Sequence, residues 1–238
     1  MSTSVLMAEA ATQFMPWSSD EAVLGTPAAL SSGGRRQLKR ALDLLATTLI
    51  LLLILPTFLL IGLLVFLSSP GPILFRQQRI GLNGTSFTLL KFRTMYHGAS
   101  SAVHETYYRA LMQGTAEATG NTFKLRNDSR ITPVGRVLRR LSLDELPQLL
   151  NVLRGEMSLV GPRPPLPYEV ADYGPRELRR LSVPPGLTGL WQVSGRAILN
   201  FHQMIALDLA YVEHWSLWLD LEILARTPLV VLTGRGAC

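Results

Sequence analysis

One long run of apolar residues dominates the hydropathy pattern of the chain. Residues 41–67, ALDLLATTLILLLILPTFLLIGLLVFL, contain a single charge, Asp43, close to the start of the run. A helix of this length spans roughly 40 Å, which exceeds the roughly 30 Å hydrocarbon core of a bilayer. The pattern predicts a membrane segment, which we place at 35–69 with its flanking residues.

The path of this segment through the membrane has two readings. Pro56 lies near its middle, where a proline bends a helix, so a bent spanning helix is the first reading. Basic residues flank both ends of the run: Arg35, Arg36, Lys39 and Arg40 before it, and Arg76, Arg79, Lys91 and Arg93 after it. The positive-inside rule assigns both flanks to the cytoplasm. A re-entrant helix that breaks at Pro56 and returns to the same face is therefore the second reading.

Shorter patterns follow the apolar run. Residues around 72–76 and 86–92 are β-like, and the GLNG between them is typical of a hairpin turn. Residues 134–153 predict a short basic helix and a second helix that ends at Gly155. We expect an α+β fold that is mainly helical, with a small β-hairpin.

The last predicted element is an amphipathic helix at about 201–225. Trp215 and Trp218 lie near its end and Tyr211 lies one turn earlier. These residue types favour a membrane interface. They are equally common in a packed core. The pattern leaves an amphipathic interface helix and a core helix as alternatives.

Composition supports a membrane protein with a basic soluble face. The 238 residues carry a net charge of +6, with a pI near 9.9 and a mean hydropathy of +0.23. The single cysteine, Cys238, excludes a disulfide within the chain. We expect a disordered tail at 1–34, the membrane segment at 35–69 and one cytoplasmic catalytic domain at 70–238.

The stretch SLDELPQ, residues 142–148, has two explanations. Ser142 and Glu145 have the spacing of a capping box, in which both side chains bond backbone donors at the start of a helix. Asp144 would then lie in the first turn, where the helix dipole favours an anion. This explanation requires no catalysis. The alternative is that Asp144 and Glu145 are a catalytic pair.

The surrounding arginines favour the catalytic explanation. Arg136, Arg139 and Arg140 precede the pair, and Arg163 lies in the proline-rich loop GPRPPLP. Arginine matches the oxygens of a phosphate, and a carboxylate approaches a phosphate when a cation such as Mg²⁺ bridges them. We therefore predict a phosphate and magnesium site, with Asp144 as the metal-binding carboxylate. Adjacent helical residues point about 100° apart, so Asp144 and Glu145 should have different roles.

Two further segments contribute basic residues. KFRTM, residues 91–95, places Lys91 and Arg93 on one face if it forms a strand. The SGR segment near the end of the chain contributes Arg196. A solvated basic edge strand would explain Lys91 and Arg93 without any ligand.

Several long segments together resemble a known family. They are KRALDLLATTLILLLILPTFLLIGLLVFLSSPGPILFRQQRIGLNGTSFTLLKFRTM, RNDSRITPVGRVLRRLSLDELPQLLNVLRGEMSLVGPRPPLP, PPGLTGLWQVSGR and LDLAYVEHWSLWLDLEILARTPLVVL. They resemble the bacterial sugar transferases, the monotopic phosphoglycosyl transferases that act as polyprenyl-phosphate hexose-1-phosphate transferases. The resemblance covers roughly residues 38–238.

The resemblance implies an activity and roles for individual residues. Sugar-1-phosphate is transferred from a nucleotide sugar, usually a UDP-sugar, to undecaprenyl phosphate, and UMP is released. Asp144 matches the nucleophile that forms a covalent phosphosugar intermediate, and Glu145 matches its acid-base partner; magnesium assists. Lys91, Arg93, Arg139 and Arg163 match positions assigned to phosphate or nucleotide contacts. We add Arg196 of the SGR segment as a further candidate for such a contact.

The resemblance also implies a location and partners. The enzyme would lie in the bacterial inner membrane with its catalytic domain on the cytoplasmic face, in contact with lipid, and would start exopolysaccharide, capsule or O-antigen synthesis ahead of further glycosyltransferases. The family's membrane helix is re-entrant and breaks at a Ser-Pro pair, but Leu55 replaces the serine here, so only Pro56 remains. The sequence does not indicate which sugar is transferred.

Two rival functions make different predictions. A membrane-anchored adaptor would use the basic face to bind anionic lipid without any chemistry. A nucleic-acid-binding protein is suggested by the pI alone, and no nucleic-acid motif supports it. We therefore expect no nucleic-acid partner.

Overall fold

The structure is a computed structural model that describes residues 33–99, 106, 128–195 and 201–233. Within these ranges the chain is mainly helical and contains two small sheets of two strands each. This confirms the predicted combination of many helices with a little β structure. The predicted tail at 1–34 lies outside the described residues except for its last two, which begin the first helix.

The first helix, α1 (Gly33–Ser68), contains the apolar run and remains helical through Pro56. By length and composition it is the one helix in the described ranges that could cross a membrane. Leu52 and Leu53 are 67% and 82% exposed, although leucine side chains favour an apolar environment. The exposed leucines make membrane association plausible. The return of α1 to the same membrane face stays a prediction.

Both ends of α1 are bonded to the rest of the protein. Near the beginning, Lys39 Nζ lies 2.6 Å from Asp220 Oδ2, and both side chains are buried. Near the end, Arg93 donates a hydrogen bond of 2.6 Å to the carbonyl oxygen of Ser69. These two contacts fix the beginning and the end of the helix to the same folded body.

The predicted hairpin is confirmed. It consists of the antiparallel strands β1 (Leu74–Ile80) and β2 (Ser86–Phe92). In the connection, Asn83 and Gly84 have φ values of 54° and 78°, in the left-handed region that Asn and Gly tolerate best. The turn residues thus explain why GLNG closes the hairpin.

The two helices predicted for 134–153 are also present. Helix α2 (Pro133–Arg140) and helix α3 (Gln148–Arg154) are separated by a 3₁₀ turn at Leu143–Glu145. Gly155 ends α3 with a φ of 83°, as the sequence predicted. The 3₁₀ turn contains both acidic residues of SLDELPQ.

The next elements are short and support the proline-rich loop. They are β3 (Ser158–Val160), α4 (Pro167–Ala171), α5 (Pro175–Leu178), a 3₁₀ turn at Arg179–Ser182, β4 (Gly186–Thr188) and α6 (Leu190–Ser194). Strands β3 and β4 pair in parallel. A Cβ atom at Gly161 would lie 2.5 Å from the carbonyl oxygen of Pro184, so only glycine permits this approach of the two backbones.

The prediction of a single amphipathic helix at 201–225 is wrong. Two helices occupy this region, α7 (Phe201–Glu213) and α8 (Leu217–Thr233). Ser216 precedes α8, and its hydroxyl accepts a hydrogen bond of 3.1 Å from the backbone N–H of Leu219, the usual arrangement at a helix start. Trp215 is 4% exposed whereas Trp218 is 75% exposed. The core alternative therefore holds for Trp215, and Trp218 remains available to an interface.

The main core lies between α3, β3, α7 and α8. Its buried side chains include Leu149, Val152, Leu159, Tyr211 and Ile223. A smaller cluster packs the second half of α1 on the end of the hairpin: the rings of Phe58 and Phe92 are 4.9 Å apart. The hairpin thus packs on the second half of α1, whereas Ala46, Leu51 and Ile54 of α1 pack directly on the main core.

Candidate functional site

A cleft of about 1240 Å³ lies where the second half of α1, the hairpin and the 3₁₀ turn at Leu143–Glu145 meet. Its α1 side is formed by Phe58, Leu59, Gly62 and Leu63. Basic side chains line the rest of it: Arg76, Arg79, Lys91, Arg93, Arg130, Arg139 and Arg163. Asp128, Asp144 and Glu145 are its acidic residues. The cleft therefore joins an apolar wall to a strongly cationic one.

The capping-box explanation of SLDELPQ is wrong. Ser142 has φ 54° and ψ 20°, a left-handed conformation, and its side chain does not cap the following turn. Glu145 is the last residue of the 3₁₀ turn that follows. Its carboxylate instead lies 2.9 Å from Lys91 Nζ.

The two carboxylates occupy different environments, and their different roles stay a prediction. Asp144 is buried at 9% exposure and lines the cleft. The Glu145 side chain is 34% exposed and is ion-paired with Lys91. Asp144 is thus the more shielded of the two, and the Lys91 ammonium orients Glu145.

Lys91 and Arg93, predicted to share a face, reach different partners. Arg93 is 5% exposed and bonds the carbonyl oxygens of Val65, Ser69 and Pro70 at the end of α1. Unpaired carbonyl groups at the end of a helix attract cations. The contacts favour a role for Arg93 in holding α1, and its predicted phosphate contact remains a prediction.

The other predicted cations divide into three groups. Arg139, in the last turn of α2, lines the cleft, whereas Arg136 and Arg140 are exposed outside it. Arg163 also lines the cleft and lies 3.5 Å from a carboxylate oxygen of Glu169. Arg196 lies outside the described residues.

A buried charge network that the sequence did not reveal supports Arg163. Arg180 is 2% exposed, is paired with Asp208, and donates a hydrogen bond of 3.1 Å to the carbonyl oxygen of Arg163. Glu169 accepts a hydrogen bond of 2.7 Å from the backbone N–H of Leu166. These contacts hold the proline-rich loop in place and orient Arg163 towards the cleft.

Electrostatics keep Glu169 ionised. Burial alone would raise the pKa of Glu169, but the charges of Arg163 and Arg79 and the hydrogen bond from Leu166 together lower it below its ordinary value. Glu169 is consequently an anion behind the cationic wall of the cleft.

Arg79 lines the cleft, although the sequence analysis gave it only as a basic residue that follows the apolar run. It is 6% exposed and bonds the side chain of Gln77 and the carbonyl oxygen of Pro164. Alternation along the strands could have found it. In the observed register Arg79 faces Phe87 and Phe75 faces Lys91, which places Arg79 and Lys91 on one face of the hairpin.

The fit to magnesium depends on Asp144. No group of three acidic, cysteine or histidine side chains suited to a metal ion occurs among the described residues. Magnesium typically takes one or two carboxylates and completes its shell with water and substrate phosphates. Asp144 in a cleft lined by phosphate-binding residue types fits that donor set.

Comparisons with known proteins identify the family of this chain. The family model for the bacterial sugar transferases matches residues 34–234. The exopolysaccharide production protein ExoY of Rhizobium meliloti is 47% identical over 199 residues, which are 84% of this chain and 87% of that protein. The UDP-glucose:undecaprenyl-phosphate glucose-1-phosphate transferase of Caulobacter vibrioides is 45% identical over 207 residues, 84% of this chain and 71% of that protein. The undecaprenyl-phosphate galactose phosphotransferase of Salmonella typhimurium is 40% identical over 211 residues, 87% of this chain and 43% of that protein. The chain belongs to the bacterial sugar transferase family.

Proposed function

We propose that this protein transfers sugar-1-phosphate from a UDP-sugar to undecaprenyl phosphate and releases UMP. The observation that carries the proposal is the buried carboxylate of Asp144 in a cationic cleft that also reaches the apolar wall of α1. A charged sugar nucleotide and a lipid phosphate are the two substrates that such a cleft would bring together. The relatives from Caulobacter and Salmonella carry names with the same type of reaction.

The first step is attack by a carboxylate oxygen of Asp144 on the phosphorus that bears the sugar. The new bond joins Asp144 to this phosphorus, and the bond from the phosphorus to the bridging oxygen breaks. UMP leaves with that electron pair. The cations that line the cleft, including Lys91 and Arg139, stabilise the charge that develops on the phosphate oxygens.

The second step regenerates the enzyme. An oxygen of undecaprenyl phosphate attacks the same phosphorus, and the bond to Asp144 breaks to restore the carboxylate. Glu145, oriented by its ion pair with Lys91, accepts a remaining proton of the attacking phosphate and later releases it to solvent. The product is a lipid-linked diphosphate sugar, which further glycosyltransferases would extend.

Magnesium is part of the proposal. One oxygen of Asp144 and the donor phosphates would hold the ion, which when bound neutralises phosphate charge. The Asp144 carboxylate has two oxygens, so one would remain for the attack on phosphorus.

We further propose that α1 is re-entrant and places the domain on the cytoplasmic face of the bacterial inner membrane. Both ends of α1 are bonded to one soluble body, through Lys39 and through Arg93. A straight spanning helix would carry its two ends to opposite membrane faces. To test this, Cys238→Ser is combined with Gln37→Cys or with Gln78→Cys, which are exposed positions at the beginning of α1 and on β1 beyond its end. A membrane-impermeant maleimide should label both cysteines in inside-out vesicles, and labelling from opposite sides would show a spanning helix.

The decisive experiment measures UMP release. The full chain in nanodiscs that contain undecaprenyl phosphate is supplied with Mg²⁺ and a panel of UDP-sugars. We expect UMP and a lipid-linked sugar with at least one donor, and neither with Asp144→Asn, which keeps the shape of the side chain but removes the nucleophile. Asp172→Asn, a change at an exposed residue outside the cleft, is the control.

Each outcome has a separate meaning. Turnover by Asp144→Asn at the wild-type rate would exclude the covalent mechanism. Failure of every donor with the wild-type chain, together with binding to anionic vesicles, would favour the adaptor alternative.

A further inference from the structure

Arg79 is a buried cation whose hydrogen-bond partners are neutral. Its guanidinium donates to Gln77 Oε1 at 2.7 Å and 3.1 Å and to the carbonyl oxygen of Pro164 at 2.9 Å. At 6% exposure it also has little contact with water. Burying a cation costs free energy unless an anion compensates it. The contacts fix the guanidinium in place without neutralising it.

The neighbouring charges do not remove this excess. Arg163 is a second cation close by, and Glu169 is the anion that both arginines share. Burial, followed by the charge of Arg163, lowers the pKa of Arg79, while Glu169, Tyr168 and Glu145 act weakly in the opposite direction. The wall of the cleft around Arg79 and Arg163 therefore has an excess of positive charge, which suits a bound anion.

This positive wall lies at the end of the hairpin that is remote from the membrane helix. Leu74 and Phe92 pair at the α1 end, where Phe92 packs against Phe58. Arg79 lies five residues further along β1, roughly 16 Å from that end at 3.3 Å per residue. Lys91, next to the α1 end, reaches Glu145 of the dyad. The hairpin face thus runs from the membrane end, past the dyad, to Arg79.

The two substrates reach this face from different sides. A lipid-borne phosphate has to enter from α1, because its isoprenoid chain stays in the bilayer. A water-soluble sugar nucleotide has no such restriction and can occupy the remote end. The phosphate that remains on the nucleotide when the sugar phosphate is transferred also needs a cation to stabilise its growing negative charge.

We propose that Arg79 completes, beside Arg163, a subsite for the phosphate of the departing nucleoside monophosphate; for Arg163, a phosphate or nucleotide contact is what the family resemblance already implies. This assignment rests on the proposed function, which it extends to the direction in which the donor lies in the cleft. Gln77 and Pro164 position the guanidinium of Arg79. Three of its five N–H groups make these bonds, and two remain for phosphate oxygens.

The test measures binding of UMP itself, so no turnover is required. Full-length protein in nanodiscs is titrated with UMP by calorimetry. Arg79→Gln should weaken UMP binding by about 10- to 100-fold, the range expected when a charge-assisted hydrogen bond is lost. Arg79→Lys keeps the positive charge but loses the planar guanidinium with its paired donors, and it should weaken UMP binding by about threefold to tenfold. Arg176→Gln, which removes an exposed arginine outside the cleft, should bind UMP as the wild type does.

Kinetics then identify the substrate that Arg79 contacts. Arg79→Gln should lower kcat/KM for the UDP-sugar by a similar factor and leave the KM for undecaprenyl phosphate within about twofold. Wild-type UMP affinity in both Arg79 variants would overturn the subsite. A raised KM for the lipid phosphate with unchanged UMP affinity would overturn the assignment to the nucleotide. If Arg79→Gln does not fold, Arg79→Lys decides, and unchanged UMP affinity in it overturns the proposal.

The test is independent of the covalent mechanism. Asp144→Asn should still bind UMP, because the subsite does not include that carboxylate. Loss of turnover in Asp144→Asn with unaltered UMP binding in Arg79→Gln would leave the proposed function intact and remove only this inference.

Discussion

Lys91 Nζ lies 2.9 Å from Glu145 Oε1, and this contact joins strand β2 of the hairpin to the turn that carries Asp144. The pair brings together residues that are 54 positions apart in the chain. It therefore fixes the position of the dyad relative to the cationic face of the hairpin.

The first prediction concerns the proton-accepting role of Glu145. Glu145→Gln can still accept a hydrogen bond from Lys91 but cannot take up a proton. We expect kcat to fall by about 100-fold, the usual size of an acid-base contribution, while the donor KM changes by less than about threefold. Initial rates of UMP release over a range of UDP-sugar concentrations measure both constants. A variant with full kcat would remove Glu145 from the chemistry and leave it a positioning residue.

The second prediction separates the two roles of Arg93. Arg93→Met removes the donors that bond the last carbonyl groups of α1. We expect a loss of about 1.5–3 kcal/mol in stability, typical of hydrogen bonds to charged groups, with UMP affinity within about twofold of the wild type. Thermal unfolding in detergent and UMP calorimetry measure the two effects. A large loss of UMP affinity without loss of stability would instead support the phosphate contact implied by the family resemblance.

The third prediction concerns the buried ion pair at the other end of α1. Asp220 accepts bonds from Lys39, Tyr211 and Trp215, and the Lys39 and Asp220 side chains are only 8% and 9% exposed. Asp220→Asn leaves the Lys39 ammonium buried without its counter-charge, so we expect a loss of about 3–5 kcal/mol.

A matched control for this prediction lies on the same helix. Glu222 and Arg226 form a partly exposed pair one turn apart. Glu222→Gln should cost about 0.3–0.5 kcal/mol, as exposed pairs at this spacing do. Equal effects of Asp220→Asn and Glu222→Gln in thermal unfolding would contradict the anchoring role of Lys39.

The fourth prediction is a dependence of stability on pH. The pKa of Glu169 is lowered in the folded protein, so the folded state favours the ionised carboxylate more strongly than the unfolded state does. Its contribution is present above the unfolded pKa of about 4.5 and is lost as the pH falls through the lower folded pKa. Glu169→Gln should cost about 1–3 kcal/mol at pH 7, and this difference from the wild type should shrink as the pH falls below about 4.5.

Melting temperatures of the two proteins between pH 7 and pH 3 provide the measurement. The comparison cancels the acid sensitivity that both proteins share. A difference that stays constant over this range would show that the Glu169 charge does not contribute to stability.

The sequence predicted the elements whose signals are local. The apolar run specified α1, the alternation around GLNG specified the hairpin, and Gly155 specified the end of α3. The neighbourhood of SLDELPQ pointed to the cleft, although the capping box itself was wrong because Ser142 adopts a left-handed conformation. The S-x-x-E spacing of Ser142 and Glu145 does not reveal that conformation.

The missed features depend on contacts between distant parts of the chain. Arg180 and Asp208 are separated by 28 positions, and no sequence motif around either residue predicts their contact. Arg93 and Ser69 meet only once the hairpin is packed against α1. Trp215 and Trp218 have the same side chain, but the helix break at Ser216 places one in the core and the other at the surface.

The attachment of α1 at both ends has a further consequence for the encounter between the substrates. If α1 lies in the bilayer as proposed, its bonded ends would hold the cleft at a constant height above the hydrocarbon. The proposed lipid phosphate acceptor would then need only lateral diffusion within its own leaflet to meet Asp144, and its chain would never have to leave the membrane. The search for the acceptor would be reduced from three dimensions to two.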